Sequence, residues 1–191
     1  DVLNNYCTTN KLDPKEVYVW ICCLCVNQHR VIEKKRKGEV VPFEEFESVF
    51  FKRVTSIGHI LAMMAPWTKP EYLFRVWCIF ELFTASQTDG CKVTIEMPSK
   101  EREDFLDGVS DENHIDNLFG VLSATNVENA EASYESDRTD ILHIVKTKTG
   151  YAKFNITINT LIRKWVLRLI EDAAHSKLEG VANAGEYDED C

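Results

Sequence analysis

Residues 59–97 read HILAMMAPWTKPEYLFRVWCIFELFTASQTDGCKVTIEM, and the predicted elements within them indicate the fold class. His59–Met64 and Cys91–Met97 are short, largely apolar runs beside proline, which predicts two strands. Leu73–Gln87 lies between them and has the length and apolar spacing of a helix, which the following Asp-Gly turn stops. A strand, a helix and a second strand in this order are typical of a parallel sheet that is covered by helices.

A further strand is predicted upstream, over Val17–Val26, where VYVWICCLCV is apolar at nearly every position. A run without alternation, bounded by turn residues, fits a strand that is buried on both faces. The apolar spacing after Pro42 predicts a helix that ends at Gly58. The other predicted elements are helices over 2–10, after Ser99, over 110–120, from Asp137 or Thr139 to Val145 and, beyond a break at Gly150, from Tyr151 to about His175, with a short fourth strand over 121–126. Apolar residues at helical spacing predict an apolar stripe along the last of these helices.

These elements alternate along the chain, which predicts a three-layer α/β fold: a parallel sheet with helices on both faces, plus a long C-terminal helix. One domain is expected over residues 1–176, and the small and acidic residues 177–191 are expected to form a flexible tail. Folds of this class usually begin with a strand, whereas this chain begins within a predicted helix. We therefore expect that the first strand is missing, is supplied by another segment or does not belong to this chain.

Composition and charge restrict the classes of partner. The chain has 191 residues, of which 45% are hydrophobic and 28% charged, with a net charge of -9. This globular composition excludes a disordered chain, and the acidic balance argues against nucleic-acid binding, which needs lysine and arginine. No apolar run approaches the ~20 residues of a membrane span, and no signal peptide opens the sequence. Seven cysteines, several within apolar runs, predict buried thiols in a reducing intracellular compartment, either the cytoplasm or, after removal of a leader, an organelle.

Glu81 stands out within the predicted helix. On a helical wheel it falls near the middle of an arc of about 140° that is otherwise formed by Phe74, Trp77, Cys78, Leu82 and Ala85. A carboxylate in apolar surroundings is costly unless it is paired, protonated or exposed in a cleft, and burial would raise its pKa. Such a group suits acid–base or electrostatic catalysis. The wheel alone favours the alternative, a structural glutamate that accepts backbone N–H groups or pairs with Arg53 or Arg75.

Residues 75–82, RVWCIFEL, resemble the W-C-x-x-E-L signature of Toll/interleukin-1 receptor-like (TIR) domains. The upstream block VYVWICCLCVNQH resembles the divergent TIR-like domains of unicellular eukaryotes, and the similarity covers roughly residues 15–97. The Ser-His-x-Trp-like segment that the first strand of related domains carries is not found, which again indicates a missing first strand. The resemblance implies a flavodoxin-like parallel sheet and a signalling module that self-associates.

Some TIR domains cleave NAD between nicotinamide and ribose, and the resemblance assigns that chemistry to two residues. Glu81 matches the catalytic glutamate of the motif, and Trp77 matches the tryptophan that can stack on nicotinamide. Loss of nicotinamide develops positive charge on the ribose, which a nearby carboxylate would stabilise. NAD would then be a substrate, and no other cofactor is implied. Two hypotheses follow: a TIR-like interaction, signalling or accessory module within a larger assembly, and an NAD glycohydrolase.

Four more residues are candidates for substrate binding. Asn27, Gln28 and His29 follow the predicted strand at its C-terminal end, which is the edge at which open α/β sheets bind ligands. An ordinary solvated loop is the alternative for these three. Trp67 lies in the loop before the motif, and it is expected either to line the same pocket or to cover the core.

A basic cluster stands in this acidic chain and consists of Lys34, Lys35, Arg36 and Lys37. It occupies the position of the loop through which TIR domains often self-associate, so the resemblance makes it a candidate protein interface. A solvated loop is the simpler alternative, and contact with a phosphate or with an anionic membrane surface is also left open.

A metal site is considered for Cys22, Cys25 and His29, because metal ligands often have such spacings. On a regular strand, however, Cys22 and Cys25 would point to opposite faces. The second half of a zinc site is also missing from the sequence. No metal is therefore predicted.

Overall fold

The order of helices and strands places the strand–helix–strand unit in the middle of the chain. The computed structural model describes residues 1–21, 33, 36–39, 43–108, 120 and 125–185. Within them the α-helices and strands are α1 Val2–Thr9, α2 Phe43–Ile57, β1 His59–Met63, α3 Val76–Gln87, β2 Lys92–Glu96, α4 Ser99–Gly108, α5 Glu135–Ile144 and α6 Tyr151–Gly185. Short 3₁₀ turns lie at Glu71–Phe74 and Val127–Asn129, and a π-helical turn lies at Val145–Thr149.

The two strands form a parallel pair, in register from His59 opposite Lys92 to Met63 opposite Glu96. α3 connects them and contacts both, so the predicted strand–helix–strand unit is confirmed. Gly58, at φ +68°, follows α2 and allows the chain to turn directly into β1, because glycine adopts positive φ without steric cost. Its carbonyl oxygen accepts the Lys92 N–H at 2.8 Å, which fixes the register where the strands begin.

The two faces of the parallel pair have different surroundings. Successive side chains of a strand alternate between faces, and on one face Ala62 and Ile95 are buried in the core. On the other face the His59 ring contacts Thr94, with Nε2 2.9 Å from the Thr94 hydroxyl oxygen. α1 packs there too, because the Tyr6 ring centroid lies 5.4 Å from that of His59. The core therefore covers one face of the pair at Ala62 and Ile95, and α1 covers the other face where the strands begin.

α3 lies in the core between the strands and the other helices. Phe80 faces Phe50 of α2 with ring centroids 6.2 Å apart, and Phe83 stacks on Phe154 of α6 at 4.3 Å. The apolar stripe that was predicted for the last helix is confirmed, and its most deeply buried members are Phe154, Ile158 and Ile162. Burying side chains of this size contributes roughly 1.5–3 kcal/mol each.

The end of the last helix differs from the prediction. Gly150, at φ +83°, separates the π-helical turn from α6 as expected. α6 continues to Gly185, well beyond the predicted end near His175. Alanine, lysine, leucine and glutamate recur in residues 173–184, and these residue types have high helix propensity. The expected tail of 177–191 therefore begins as helix; residues 186–191 lie outside the described residues, and the mobility of the tail stays a prediction.

The strand predicted over Val17–Val26 is not formed in the part of that run that the structure describes. Residues 17–21 lack strand structure, and the exposed fractions are 92% for Tyr18, 49% for Val19 and 39% for Ile21. An apolar run indicates a need for burial, but a strand also needs a neighbour whose backbone completes its hydrogen bonds. Neither described strand pairs with this segment. Residues 22–26 lie outside the described residues.

Two other predicted elements follow β2. The fourth strand over 121–126 is not formed at Thr125 and Asn126; instead, Asn126 Oδ1 accepts the Glu128 N–H at 2.9 Å and caps a 3₁₀ turn. Residues 121–124, and all but residue 120 of the predicted helix over 110–120, lie outside the described residues. The described chain is thus a mixed α/β structure with a parallel pair of strands and a long C-terminal helix. The flavodoxin-like three-layer sheet is not established by these elements.

Candidate functional site

α3 carries the W-C-x-x-E-L motif into the centre of the fold. Its first residue, Val76, donates its N–H to the Glu131 carbonyl at 2.9 Å, and the Glu131 N–H donates to the Phe74 carbonyl at 2.7 Å. These two bonds tie the start of the helix to a distant part of the chain. Leu82 is completely buried, and its neighbour Glu81 is half-buried on the same helix. The motif glutamate therefore lies at the margin of the core, whereas the wheel placed it near the middle of the apolar arc.

Burial changes the acid–base properties of Glu81. It raises the pKa of the Glu81 carboxyl from 4.5 to about 7, and the positive charge of Arg75 opposes this rise only in part. Within the described residues, no backbone or side-chain group forms a hydrogen bond or an ion pair with the carboxylate. The structural alternative, in which Glu81 pairs with Arg53 or Arg75, is therefore not seen. A carboxyl group of this kind exchanges a proton near neutral pH, which suits catalytic work.

Trp77 lies one helical turn before Glu81 and connects two helices. Its indole N–H donates to Asp137 Oδ2 on α5 at 3.3 Å, and its ring meets Phe80 edge-on at 6.5 Å. The sequence indicated Asp137 only as a possible start of a helix, so this contact was not predicted. No local pattern could have predicted it, because the two residues are 60 positions apart.

Trp67 packs against α4. Its ring meets Phe105 edge-on at 5.6 Å, and its backbone N–H donates to Glu101 Oε2 at 2.7 Å. The Trp67 side chain is 8% exposed and belongs to the main core cluster. These contacts support the reading in which Trp67 covers the core, and no described contact joins it to Glu81. Its part in a pocket stays a prediction.

The other predicted site residues lie in or beside segments that the structure does not describe. Asn27, Gln28 and His29, and with them Lys34 and Lys35, are outside the described residues. Arg36 and Lys37 are described and exposed, and Lys37 Nζ lies 2.7 Å from Glu33 Oε1. An exposed pair of this kind contributes little stability. The basic cluster as an interface therefore stays a prediction.

Two clefts open on the described surface, each with a volume of about 410 Å³. One lies between α2, α3 and the π-helical turn and has phenylalanine walls. The other lies at the start of α3 and is lined by Pro66, Lys69, Glu71, Phe74, Arg75 and Glu131. The positive charges of Lys69 and Arg75 match the negative charges of the two glutamates in this described lining, so its net charge favours neither an anionic nor a cationic ligand. Glu81 is not among the lining residues of either cleft, so its access to a ligand depends on other parts of the surface.

The described residues contain no group of three or more His, Cys, Asp or Glu side chains that could hold a metal ion. In the same part of the chain, no helix combines the length and the apolar character that crossing a membrane requires. Comparisons of the chain with protein-family models, with curated proteins and with solved structures find no match. The TIR resemblance therefore depends on the motifs in residues 15–97 alone.

Proposed function

We propose that this chain is a TIR-like interaction or accessory module that self-associates or joins a larger assembly. The observation that carries the proposal is the exposure of Tyr18, Val19 and Ile21 within Val17–Ile21, a segment of β-branched and aromatic residues without a partner strand in the described structure. The RVWCIFEL motif at 75–82 supports it, because TIR domains act through self-association.

The physical argument starts from the cost of exposing this segment. Tyr18, Val19 and Ile21 present apolar surface to water, and the backbone between them offers N–H and C=O groups for strand pairing. Exposed segments of this type pair with another chain or are covered by a partner. Association would bury the apolar side chains and complete the backbone hydrogen bonds in one step. A flavodoxin-like sheet, extended beyond β1 and β2 in this way, belongs to the same proposal.

Two features suggest where the assembly would work and which other surface it would use. Cys7 is buried and Cys91 is half-buried, and both carry free thiols. Burial raises the pKa of the Cys91 thiol, which favours its protonated form. Free thiols fit a reducing intracellular compartment. The exposed Arg36 and Lys37 fit a second contact with an acidic partner.

The mass of the particle tests the proposal. Light scattering of the purified chain over a range of concentrations should show masses above the 22.0 kDa of one chain, or the chain should elute above that mass in extracts of its native source. Replacing Tyr18 and Val19 together by lysine should lower the mass, because two cations would have to be buried in the contact. Leu12→Lys, at another exposed apolar residue, is the matched control and should behave like the unchanged chain. A mass of one chain, both purified and in extracts, would overturn the proposal.

A second function, NAD glycohydrolase, is favoured by the half-buried Glu81, whose carboxylate forms no hydrogen bond or ion pair within the described residues. In this reaction the bond between ribose and nicotinamide breaks, its electron pair leaves with nicotinamide, and water adds to the ribose and releases a proton. The ionised Glu81 would stabilise the positive charge on the ribose. Trp77 would stack on the nicotinamide ring, although its indole also holds Asp137.

Nicotinamide release from NAD tests this second function. Because the ionised form of Glu81 is the active one, kcat/KM should rise with pH and level off above about 7, which is the pKa of this carboxyl. Glu81→Gln should remove the activity, whereas Glu103→Gln, at an exposed position of α4, should preserve it. No nicotinamide release by the unchanged chain, alone or associated, would exclude the enzymatic function. Equal activity in Glu81→Gln would exclude the role of Glu81.

A further inference from the structure

The cleft at the start of α3 carries charges of both signs that do not pair with one another. Its volume of about 410 Å³ lies within the roughly 300–1,000 Å³ that is typical of ligand pockets. Most of its described lining residues are charged, namely Lys69, Glu71, Arg75 and Glu131. None of these side chains forms a hydrogen bond or an ion pair within the part of the chain that the structure describes. The cleft therefore offers both positive and negative groups to a ligand.

Arg75 and Glu131 lie directly opposite each other on two neighbouring stretches of backbone. The Val76 N–H donates to the Glu131 carbonyl at 2.9 Å, and the Glu131 N–H donates to the Phe74 carbonyl at 2.7 Å. These bonds make Arg75 and Glu131 partners in a parallel bridge. Bridged backbones are roughly 4.7–4.9 Å apart. The bridge therefore brings one guanidinium group and one carboxylate side by side into the same cleft.

Arg138 of α5 holds the segment that carries Glu131. Its Nε donates to the Ala130 carbonyl at 2.8 Å, and its Nη2 donates to the Glu128 carbonyl at 2.6 Å. On either side of the bridge, Val76 and Ala130 are buried in the core. The backbone beneath the two charges is thus fixed before a ligand binds, which lowers the entropy cost of binding.

The apolar part of the described lining consists of Pro66 and the half-buried Phe74. Lys69 Nζ lies 5.3 Å from the centroid of the Phe74 ring, which is the distance of a cation–π contact. Because this contact engages Lys69, Arg75 is the described lining residue best suited to bind a carboxylate, which a guanidinium group can do through two hydrogen bonds. The charge of Arg75 also acts on Glu81, which lies outside this lining.

We propose that this cleft binds a free α-amino acid with a large apolar side chain, with its carboxylate at Arg75, its ammonium group at Glu131 and its side chain against Phe74. An α-amino acid carries opposite charges on adjacent groups, as the bridge does. A ligand with only a negative charge would place it beside Glu131, and one with only a positive charge would place it beside Arg75. The inference does not depend on the proposed function.

A second copy of the chain would fit this cleft poorly. The balanced charges would suit contact with an identical patch, since a two-fold dimer joins the same surface of both chains. The patch is concave, however, so two copies would face each other across a gap. A small ligand fills such a space without that mismatch.

Calorimetric titration at pH 7 with L-phenylalanine tests the site. We expect saturable binding of one L-phenylalanine per chain. Hydrocinnamate has the same ring and carboxylate without the ammonium group, and phenethylamine has the ring and ammonium group without the carboxylate. Each should bind at least about tenfold more weakly than L-phenylalanine, because each leaves one charge of the cleft without a partner.

Two substitutions separate the contributions of the two charges. Glu131→Gln should weaken the binding of L-phenylalanine and phenethylamine about tenfold without weakening that of hydrocinnamate. Arg75→Gln should weaken L-phenylalanine and hydrocinnamate by the same factor without weakening phenethylamine. Glu128→Gln and Arg163→Gln, at exposed positions outside the described lining, are the matched controls and should leave all three affinities unchanged.

The variants should keep the circular dichroism and urea midpoint of the unchanged chain, because glutamine retains the backbone bonds of the bridge and both side chains are exposed. Absence of saturable L-phenylalanine binding, equal binding by Glu131→Gln, or binding of hydrocinnamate or phenethylamine as tight as that of L-phenylalanine would each overturn the proposal. So would a dimer that Arg75→Gln dissociates, because a second copy would then occupy the cleft.

Discussion

Residues 59–97 and the segment Val17–Ile21 are similar in composition but differ in structure. Both are rich in apolar residues, and the sequence predicts buried strands in both. The first stretch forms a parallel pair around α3, with Ala62 completely buried. The second lies outside any described strand, with Tyr18 92% exposed.

The difference shows that an apolar run forms a strand only where a second strand lies beside it and completes its hydrogen bonds. β1 and β2 are close in sequence, and α3 between them supplies both the connection and the cover for one face. Val17–Ile21 has the same preference for burial, but the described chain offers it no adjacent backbone. Its apolar side chains are therefore available for a contact that the packed stretch has already made internally.

Truncation of one buried and one exposed apolar side chain gives the largest expected difference between the two regions. Leu82→Ala, at a completely buried position of α3, should lower the free energy of unfolding by about 2–5 kcal/mol. Tyr18→Ala should change it by no more than about 0.5 kcal/mol, because Tyr18 contacts solvent. Urea unfolding of both variants, at concentrations that favour single chains, measures the two effects. Equal losses would show that residues 17–21 are packed within the single chain.

The second prediction concerns Glu81, because burial in the packed region is unfavourable for its charged form. The rise in the pKa of Glu81 from 4.5 to about 7 corresponds to a cost of about 3 kcal/mol in the folded state above that pH. The unfolded chain loses this proton near pH 4.5 and the folded chain near pH 7, so stability declines as the pH rises between these values. Glu81→Gln removes the charge and should stabilise the fold by up to about 3 kcal/mol at pH 8.

The gain from Glu81→Gln should disappear toward pH 4.5, where the unchanged carboxyl is protonated in the folded and increasingly in the unfolded chain. Glu103→Gln, at an exposed position of α4, is the control and should show no such difference between pH 5 and pH 8. Urea unfolding at both pH values measures the effect. A destabilised Glu81→Gln at pH 8 would mean that the carboxylate has a stabilising partner after all.

The smallest expected effect is a change in the pKa of His59, which lies where α1 covers the start of the strands. Burial lowers the pKa of His59 below 6.5, and the charge of Lys92 lowers it further. Lys92 Nζ lies 3.3 Å from the Tyr6 hydroxyl, which itself lies 3.5 Å from His59 Nδ1. Lys92→Met should therefore raise the His59 pKa while leaving it below 6.5, and Lys100→Met should not change it. An NMR titration of the His59 ring protons measures this; no change in Lys92→Met would show that α1 does not hold the lysine beside the ring.

The fold could be predicted wherever the signals were local. Gly58 and Gly150 end or separate helices at the predicted positions, because positive φ is a property of the single residue. The apolar stripe of α6 was also visible, since it follows from helical spacing alone. The strand over 17–26 and the short strand over 121–126 were predicted from composition without a known neighbour, and their described residues do not form strands.

In the candidate site, too, only features that depend on local sequence could be predicted. The desolvation of Glu81 was predictable, because its place among apolar residues depends on spacing within one helix. The Trp77–Asp137 contact and the packing of Trp67 on Phe105 were not, because each joins residues that only the tertiary fold brings together. The phenylalanine-walled cleft belongs to the same class, since its lining comes from α2, α3 and the π-helical turn.

Backbone hydrogen exchange in residues 18–21 tests most directly whether this segment is an association surface. The exchange rates are measured by mass spectrometry on diluted single chains and on the concentrated or native assembly. We predict fast exchange in the single chain and, in the assembly, exchange that is at least about tenfold slower, because paired N–H groups are protected. Fast exchange in both states, at a particle mass that has clearly increased, would contradict the account, because the chains would then associate without using Val17–Ile21.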